Sequence, residues 1–132
     1  MQLERDRYGE VSYDPVAGVL ELQWFESTAE MTDEDLRRAL ERLAAHAEER
    51  RAANVLIDVT SFRHRPAPEF GAWRDANIIP RYNAAGIEKF AFLIPPGGSS
   101  GEPSPEPPGT FPTGYFESRE AIAEWFATER RS

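Results

Sequence analysis

The sequence predicts an α/β fold: a single domain over residues 1–132, with a mixed β-sheet of four or five strands and helices packed on it. Three observations predict it. Asn54–Val59 is a short apolar run rich in β-branched residues, the pattern of a strand buried on both faces of a parallel or mixed sheet. Lys89–Ile94 is a second run of the same kind. Stretches with apolar residues at helical spacing precede each of them, so strands and helices alternate along the chain.

The first elements form a hairpin. Tyr8–Tyr13 places Val11 and Tyr13 between polar residues, a half-buried strand. Asp14-Pro15-Val-Ala-Gly18 is a turn, since proline presets φ and glycine permits a positive one. Val19–Phe25 alternates again, with Leu20, Leu22 and Trp24 on one face and Glu21 and Gln23 on the other.

Thr32-Asp-Glu-Asp35 starts a helix: a hydroxyl that accepts an amide hydrogen bond, then acids facing the positive end of the helix dipole. Leu36, Leu40, Leu43, Ala44 and Ala47 then share a face, which predicts a helix over Thr32–Arg51. Phe62–Pro68 holds two prolines and is a loop. Glu69–Ala85 reads as helical, with Pro80 ending or kinking it near Ile79 and Gly86 closing it. Pro95–Thr110 carries six of the eleven prolines and four of the nine glycines, and predicts a mobile surface loop. Gly114–Phe116 is a short strand. Ser118-Arg-Glu120 caps a last helix whose buried face is Ala121, Ile122, Trp125 and Phe126.

Composition narrows the function classes. With no cysteine, the chain has no disulfide framework, thiol nucleophile or thiolate metal site. A net charge of −8 argues against nonspecific binding of nucleic acid or anionic membranes. No apolar run approaches the roughly 20 residues that cross a bilayer, and the charged N-terminus lacks a signal-peptide core. The expectation is a cytoplasmic protein with no integral membrane segment, no nucleic-acid partner, no metal and no cofactor.

In order and spacing, the hairpin leading into Thr32-Asp-Glu-Asp-Leu-Arg, the strand Val55-Leu-Ile-Asp-Val-Thr, the segment Trp73–Pro80 running on to Ala85–Pro95, and Phe116–Trp125 resemble the STAS-like proteins, the group related to the anti-sigma-factor antagonist SpoIIAA. The resemblance covers nearly the whole chain except the proline-rich loop. It implies a mixed sheet of four or five strands covered by helices. It also implies a non-enzymatic regulatory or binding module that engages a protein partner or a small ligand. Phosphorylatable members place a serine-glycine turn after the strand equivalent to Val55–Val59. Here that turn reads Asp58-Val-Thr-Ser-Phe-Arg-His-Arg-Pro, so Thr60 and Ser61 are hydroxyls in about the right place without the glycine. Turn chemistry at a strand end also explains them.

The candidate ligand-binding residues are Arg63, His64, Arg65, Trp73, Arg74 and Arg81, the most basic neighbourhood of an acidic chain. Arg74 and Arg81, seven apart, share a helical face. With the preceding loop folded over that helix, these guanidinium groups clamp a small anionic or amphipathic ligand, and Trp73 and Tyr82 provide apolar wall. The alternative is a set of solvated arginines paired with nearby acids. No complete catalytic set is visible, so no catalytic residue is assigned. A second reading is a small enzyme using His64 or Asp58 as base beside an arginine anion clamp. A third is a self-associating protein, a homodimer formed through the hairpin edge or the second helix, for which an exposed Trp24 or Trp73 patch is the signature. Gly97-Gly-Ser-Ser-Gly101 matches a hydrolase nucleophile elbow in composition, but prolines follow instead of the helix that such an elbow needs.

Overall fold

The structure, a computed structural model, describes residues 1–98 and 103–128. These residues form strands β1 (Gln2–Arg5), β2 (Gly9–Asp14), β3 (Val19–Trp24), β4 (Asn54–Asp58), β5 (Lys89–Leu93), β6 (Ser104–Pro105) and β7 (Pro112–Phe116), and helices α1 (Asp33–Arg50), α2 (Phe70–Asn77), α3 (Ile79–Ala85) and α4 (Arg119–Ala127). A 3₁₀ turn, Glu26–Glu30, links β3 to α1. The strands make one mixed sheet in the order β1-β2-β3-β4-β5-β7-β6. The four central strands β3, β4, β5 and β7 run parallel, and the edges are antiparallel.

The α/β class and the mixed sheet are as expected, but seven strands replace the four or five. The two additional strands are both at edges. Gln2–Arg5 has one apolar residue in four, so nothing in its side chains announces a strand. Its backbone pairs with β2, and its acids bind the first helix: Glu4 to Arg42 and His46, and nearby Asp6 to Arg42. Ser104–Pro105 is two exposed residues against β7. Pro105 has no N–H to give a ladder, which confines it to an edge of this kind.

The helix ends follow the sequence closely. The Thr32 hydroxyl accepts from the Asp35 amide at 3.1 Å and the Asp35 carboxylate accepts from the Thr32 amide at 3.0 Å, a complete capping box. The Ser118 hydroxyl accepts from the Ala121 amide at 3.1 Å. The stretch 69–85 is broken in two at Ile78, whose φ of −108° and ψ of −49° depart from the helix. Pro80 explains the break, because it has no N–H to bond one turn back.

Every residue of β4 is buried. Val55 and Ile57 join Leu20, Leu22, Leu40, Phe70, Ile78 and Phe90 in the main core, under α1, α2 and α3. Leu56 points the other way and packs with Ala91, Leu93 and Ile122 under α4. That second layer is a single nine-residue helix, and a charge fastens its end. Lys89, 8% exposed, donates to the Trp125 carbonyl at 2.7 Å, the Thr128 carbonyl at 2.7 Å and the Thr128 hydroxyl at 2.6 Å. All three ammonium protons are thereby used on the carbonyl end of α4, where the helix dipole favours a cation. Lys89→Met is expected to lower the unfolding free energy by about 2 kcal/mol, the scale of hydrogen bonds to a charged group. Urea titration checks this: the midpoint falls while the slope stays the same.

Candidate functional site

A cavity of about 310 Å³ lies between the sheet and the α2–α3 segment, at the low end of the range for small-molecule sites. It sits toward the carboxyl ends of β4 and β5, where Ile57, Val59 and Phe92 form its floor. Leu36 and Leu40 of α1, Phe70 and Ile79 of the α2–α3 segment, and Phe62 of the preceding loop make further wall. The remaining side comes from 106–109, Phe111 and Tyr115. Eight of the 21 lining residues are aromatic, and some of them stack: Phe90 on Phe111 with centroids 5.7 Å apart, and Phe92 on Tyr115 at 5.2 Å.

The proline-rich segment is therefore more than covering loop. Asn83 of α3 holds it in place: its amide donates to the Pro108 carbonyl at 3.1 Å, and its oxygen accepts from the Thr110 amide at 2.9 Å and the Thr110 hydroxyl at 3.0 Å. The Tyr115 phenol donates to Glu106 at 3.0 Å. Burial, then the bond to that carboxylate, pushes the Tyr115 phenol above its ordinary pKa. Of the serine motif 97–101, Ser99–Gly101 lie outside the described residues.

The polar groups at this cavity are few. Arg74 and Asp75 of α2 and Glu106 stand at its rim. The Arg74 side chain is 48% exposed, and its one ion pair among the described residues is with its neighbour Asp75 at 3.4 Å. Deeper in, Tyr82 is 2% exposed, and burial pushes its phenol well above the usual range. It therefore stays protonated and remains a donor. Sequence reasoning took Tyr82 for apolar wall and did not read its hydroxyl as a polar group of the site.

The other predicted ligand-binding residues are distributed among separate acids instead of converging on one point. Arg63 pairs with Glu26 at 3.4 Å, and Arg81 makes a two-point contact with Glu48 at 2.5 and 3.1 Å. Arg65 is exposed. Trp73 packs on Phe70 at 5.4 Å beneath the Arg37 guanidinium. His64 Nε2 meets Asp33 Oδ1 at 2.7 Å, and Asp33 also accepts from the Ala67 amide at 3.1 Å, which fastens the 62–68 loop to the start of α1. Only Arg74 of the predicted set lines the cavity.

Asp58 belongs to the opposite layer. It is 5% exposed, and one oxygen accepts from the Thr60 amide at 3.0 Å and the Thr60 hydroxyl at 2.6 Å. Its other oxygen accepts from Arg119 at 2.9 Å. Arg119 also grips Glu21 with both terminal nitrogens, at 3.1 and 2.8 Å. Asp58 and His64 thus serve different partners on different layers. Ser61 is half-buried beside the exposed Thr60. Arg119 went unread in the sequence because it lies 61 positions from Asp58 and 98 from Glu21. No helix among the described residues is long and apolar enough to cross a membrane.

Comparison of the chain with protein-family models, with curated proteins and with solved structures gave no match.

The Asp33–His64 bond predicts a pH dependence. The hydrogen bond from His64, then that from the Ala67 amide, holds the Asp33 carboxyl below its usual range. A carboxyl whose pKa is lower folded than unfolded adds stability above its unfolded value of about 3.9, and that contribution is lost as pH falls through the folded value. Asp33→Asn is therefore expected to melt at a lower temperature than the parent near pH 7. The difference starts to shrink below about pH 4 and is lost as pH falls through the depressed folded value, where the parent carboxyl also becomes neutral. Calorimetric scans of both proteins across that range check it.

Proposed function

We propose that this protein is a STAS-like binding and regulatory module of the cytoplasm. Of the two kinds of partner that the resemblance implies, a protein or a small ligand, its partner is a small amphipathic ligand held in the cavity, without turnover. One observation carries the reading: an apolar, aromatic-lined space of about 310 Å³ at the carboxyl ends of the central parallel strands, with a few polar groups at its edge. This is the usual composition of a small-molecule site, and the usual position of one in an α/β sheet. The mixed sheet covered by helices on both faces is consistent with the STAS-like resemblance.

The other readings have less support. A base at His64 or Asp58 beside an arginine anion clamp requires that base within reach of a substrate in the cavity, and neither residue lines it. Here His64 is bonded to Asp33, and Asp58 to Thr60 and Arg119. Self-association draws no support from the tryptophans: Trp24 is buried and Trp73 is half-covered by Phe70.

A neutral solvatochromic dye, N-phenylnaphthylamine, tests the reading. The dye is expected to bind saturably at one site, brighten, and quench the emission of the cavity-lining Trp24. Ile79→Trp, which fills the cavity from its half-buried wall, is expected to weaken binding at least tenfold with an unchanged far-ultraviolet spectrum. Dye binding that Ile79→Trp leaves intact, or no binding at all, sinks the proposal.

A further inference from the structure

The cavity holds one unspent polar group. Tyr82 lines it and is 2% exposed, yet its hydroxyl has no hydrogen-bond partner among the described residues. Among the described residues Arg50 Nε, away from the cavity, is the one side-chain polar atom both sealed off and unpaired, so the Tyr82 oxygen is not fully sealed, and its side chain lines the cavity. Buried hydroxyls are rarely left unpaired, because each forgone hydrogen bond costs about 1–3 kcal/mol.

A second donor stands at the rim. Arg74 of α2 lines the same cavity as Tyr82 of α3, across the break at Ile78. The charge of Arg74 is felt at both the Tyr82 and the Tyr115 phenols. Among the described residues its five N–H donors are met by one ion-pair contact, to Asp75 at 3.4 Å. At the rim Glu106 accepts from Tyr115 and Asp75 from Arg74, so both acids already face a donor, while the Tyr82 hydroxyl deeper in faces none among the described residues.

We infer that the ligand is a small aromatic carboxylic acid, its ring among the stacked aromatics and its carboxylate received by the Tyr82 hydroxyl and the Arg74 guanidinium. This rests on the cavity being a binding site, as proposed above. A phenol and a guanidinium donate together to a carboxylate with charge-assisted bonds, roughly twice as strong as neutral ones. Flat rings suit a lining in which Phe90 and Phe111, and Phe92 and Tyr115, already stack in pairs.

The test compares three probes that share one ring system and differ at the head: naphthoate, naphthylmethanol and naphthylmethylamine, each titrated as a competitor of N-phenylnaphthylamine. Naphthoate is expected to bind at least tenfold more tightly than the alcohol, and the amine most weakly. Tyr82→Phe, which removes one oxygen and keeps the ring, is expected to weaken naphthoate about tenfold and the alcohol less than threefold. Arg74→Gln, at a half-exposed side chain, is expected to weaken naphthoate by a similar factor with an unchanged far-ultraviolet spectrum. An alcohol or amine that binds as tightly as the acid overturns the inference, as does a folded Tyr82→Phe protein with unchanged naphthoate affinity. The dye separates the two proposals. If the dye binds but the acid has no advantage, only the head-group assignment fails; if nothing binds, the cavity reading fails as well.

Discussion

The burial of β4 on both faces is the constraint from which the rest follows. Val55 and Ile57 demand cover on one side and Leu56 on the other, so a single helical layer cannot satisfy the strand. On the larger side α1 and the α2–α3 segment supply it. On the smaller side α4 supplies it alone, and an isolated helix of nine residues is marginal in water. Side-chain charge compensates at both ends. Lys89 ties the carbonyl end, in accord with the helix dipole. Arg119 ties the other end against the dipole, and Asp58 explains why. A carboxylate buried at the end of β4 without a cation would cost several kcal/mol. The Arg119 side chain is half exposed, so its bond to Glu21 alone would contribute less than about 1 kcal/mol. Its value lies in neutralising Asp58.

The second constraint is the break at Ile78. A continuous helix over 69–85 would hold one straight line across the sheet. The missing N–H of Pro80 releases the chain at Ile78, which is fully buried, and α2 and α3 then meet the core as separate pieces. Arg74 is left at the rim while Tyr82 is carried inward against Phe90, with ring centroids 5.3 Å apart. The polar edge and the aromatic interior of the cavity both depend on that one interruption.

Much of this was legible in the sequence, and what was missed shares a cause. The caps at Thr32 and Ser118, the buried runs and the interruption by Pro80 are local, so neighbouring residues specify them. β1 and β6 are held by backbone pairing at the sheet edges, which leaves no side-chain pattern to read. The basic patch misled for a different reason. With 23 acids against 15 lysines and arginines, most arginines meet a carboxylate somewhere, and Arg63 and Arg81 find theirs on elements more than 30 residues away. An arginine is informative here when it has little opposite it, and that can be seen only after the chain is folded. The loop 95–110 reads as solvent-facing by composition, yet Gly109 is buried and 106–109 complete a wall of the cavity.

The cavity is the hardest feature to foresee, since a void is defined by what fails to fill it. Its size also bears on how it is used. Sealed and dry, about 310 Å³ would cost on the order of 7 kcal/mol at ~24 cal/mol per Å³, comparable to the whole stability of a domain this size. Access past the exposed Arg74 and Glu106 lets water in and lowers that figure. Water in such a space still needs two to four polar partners to be well held, and away from the rim groups Arg74, Asp75 and Glu106 it finds few among the apolar walls, chiefly the Tyr82 hydroxyl and the Thr113 side chain. Poorly held water is displaced with a gain when an apolar body enters, provided the entering group restores the few hydrogen bonds that were there. A flat ring with one accepting end meets both conditions, and neither water nor a purely apolar molecule does.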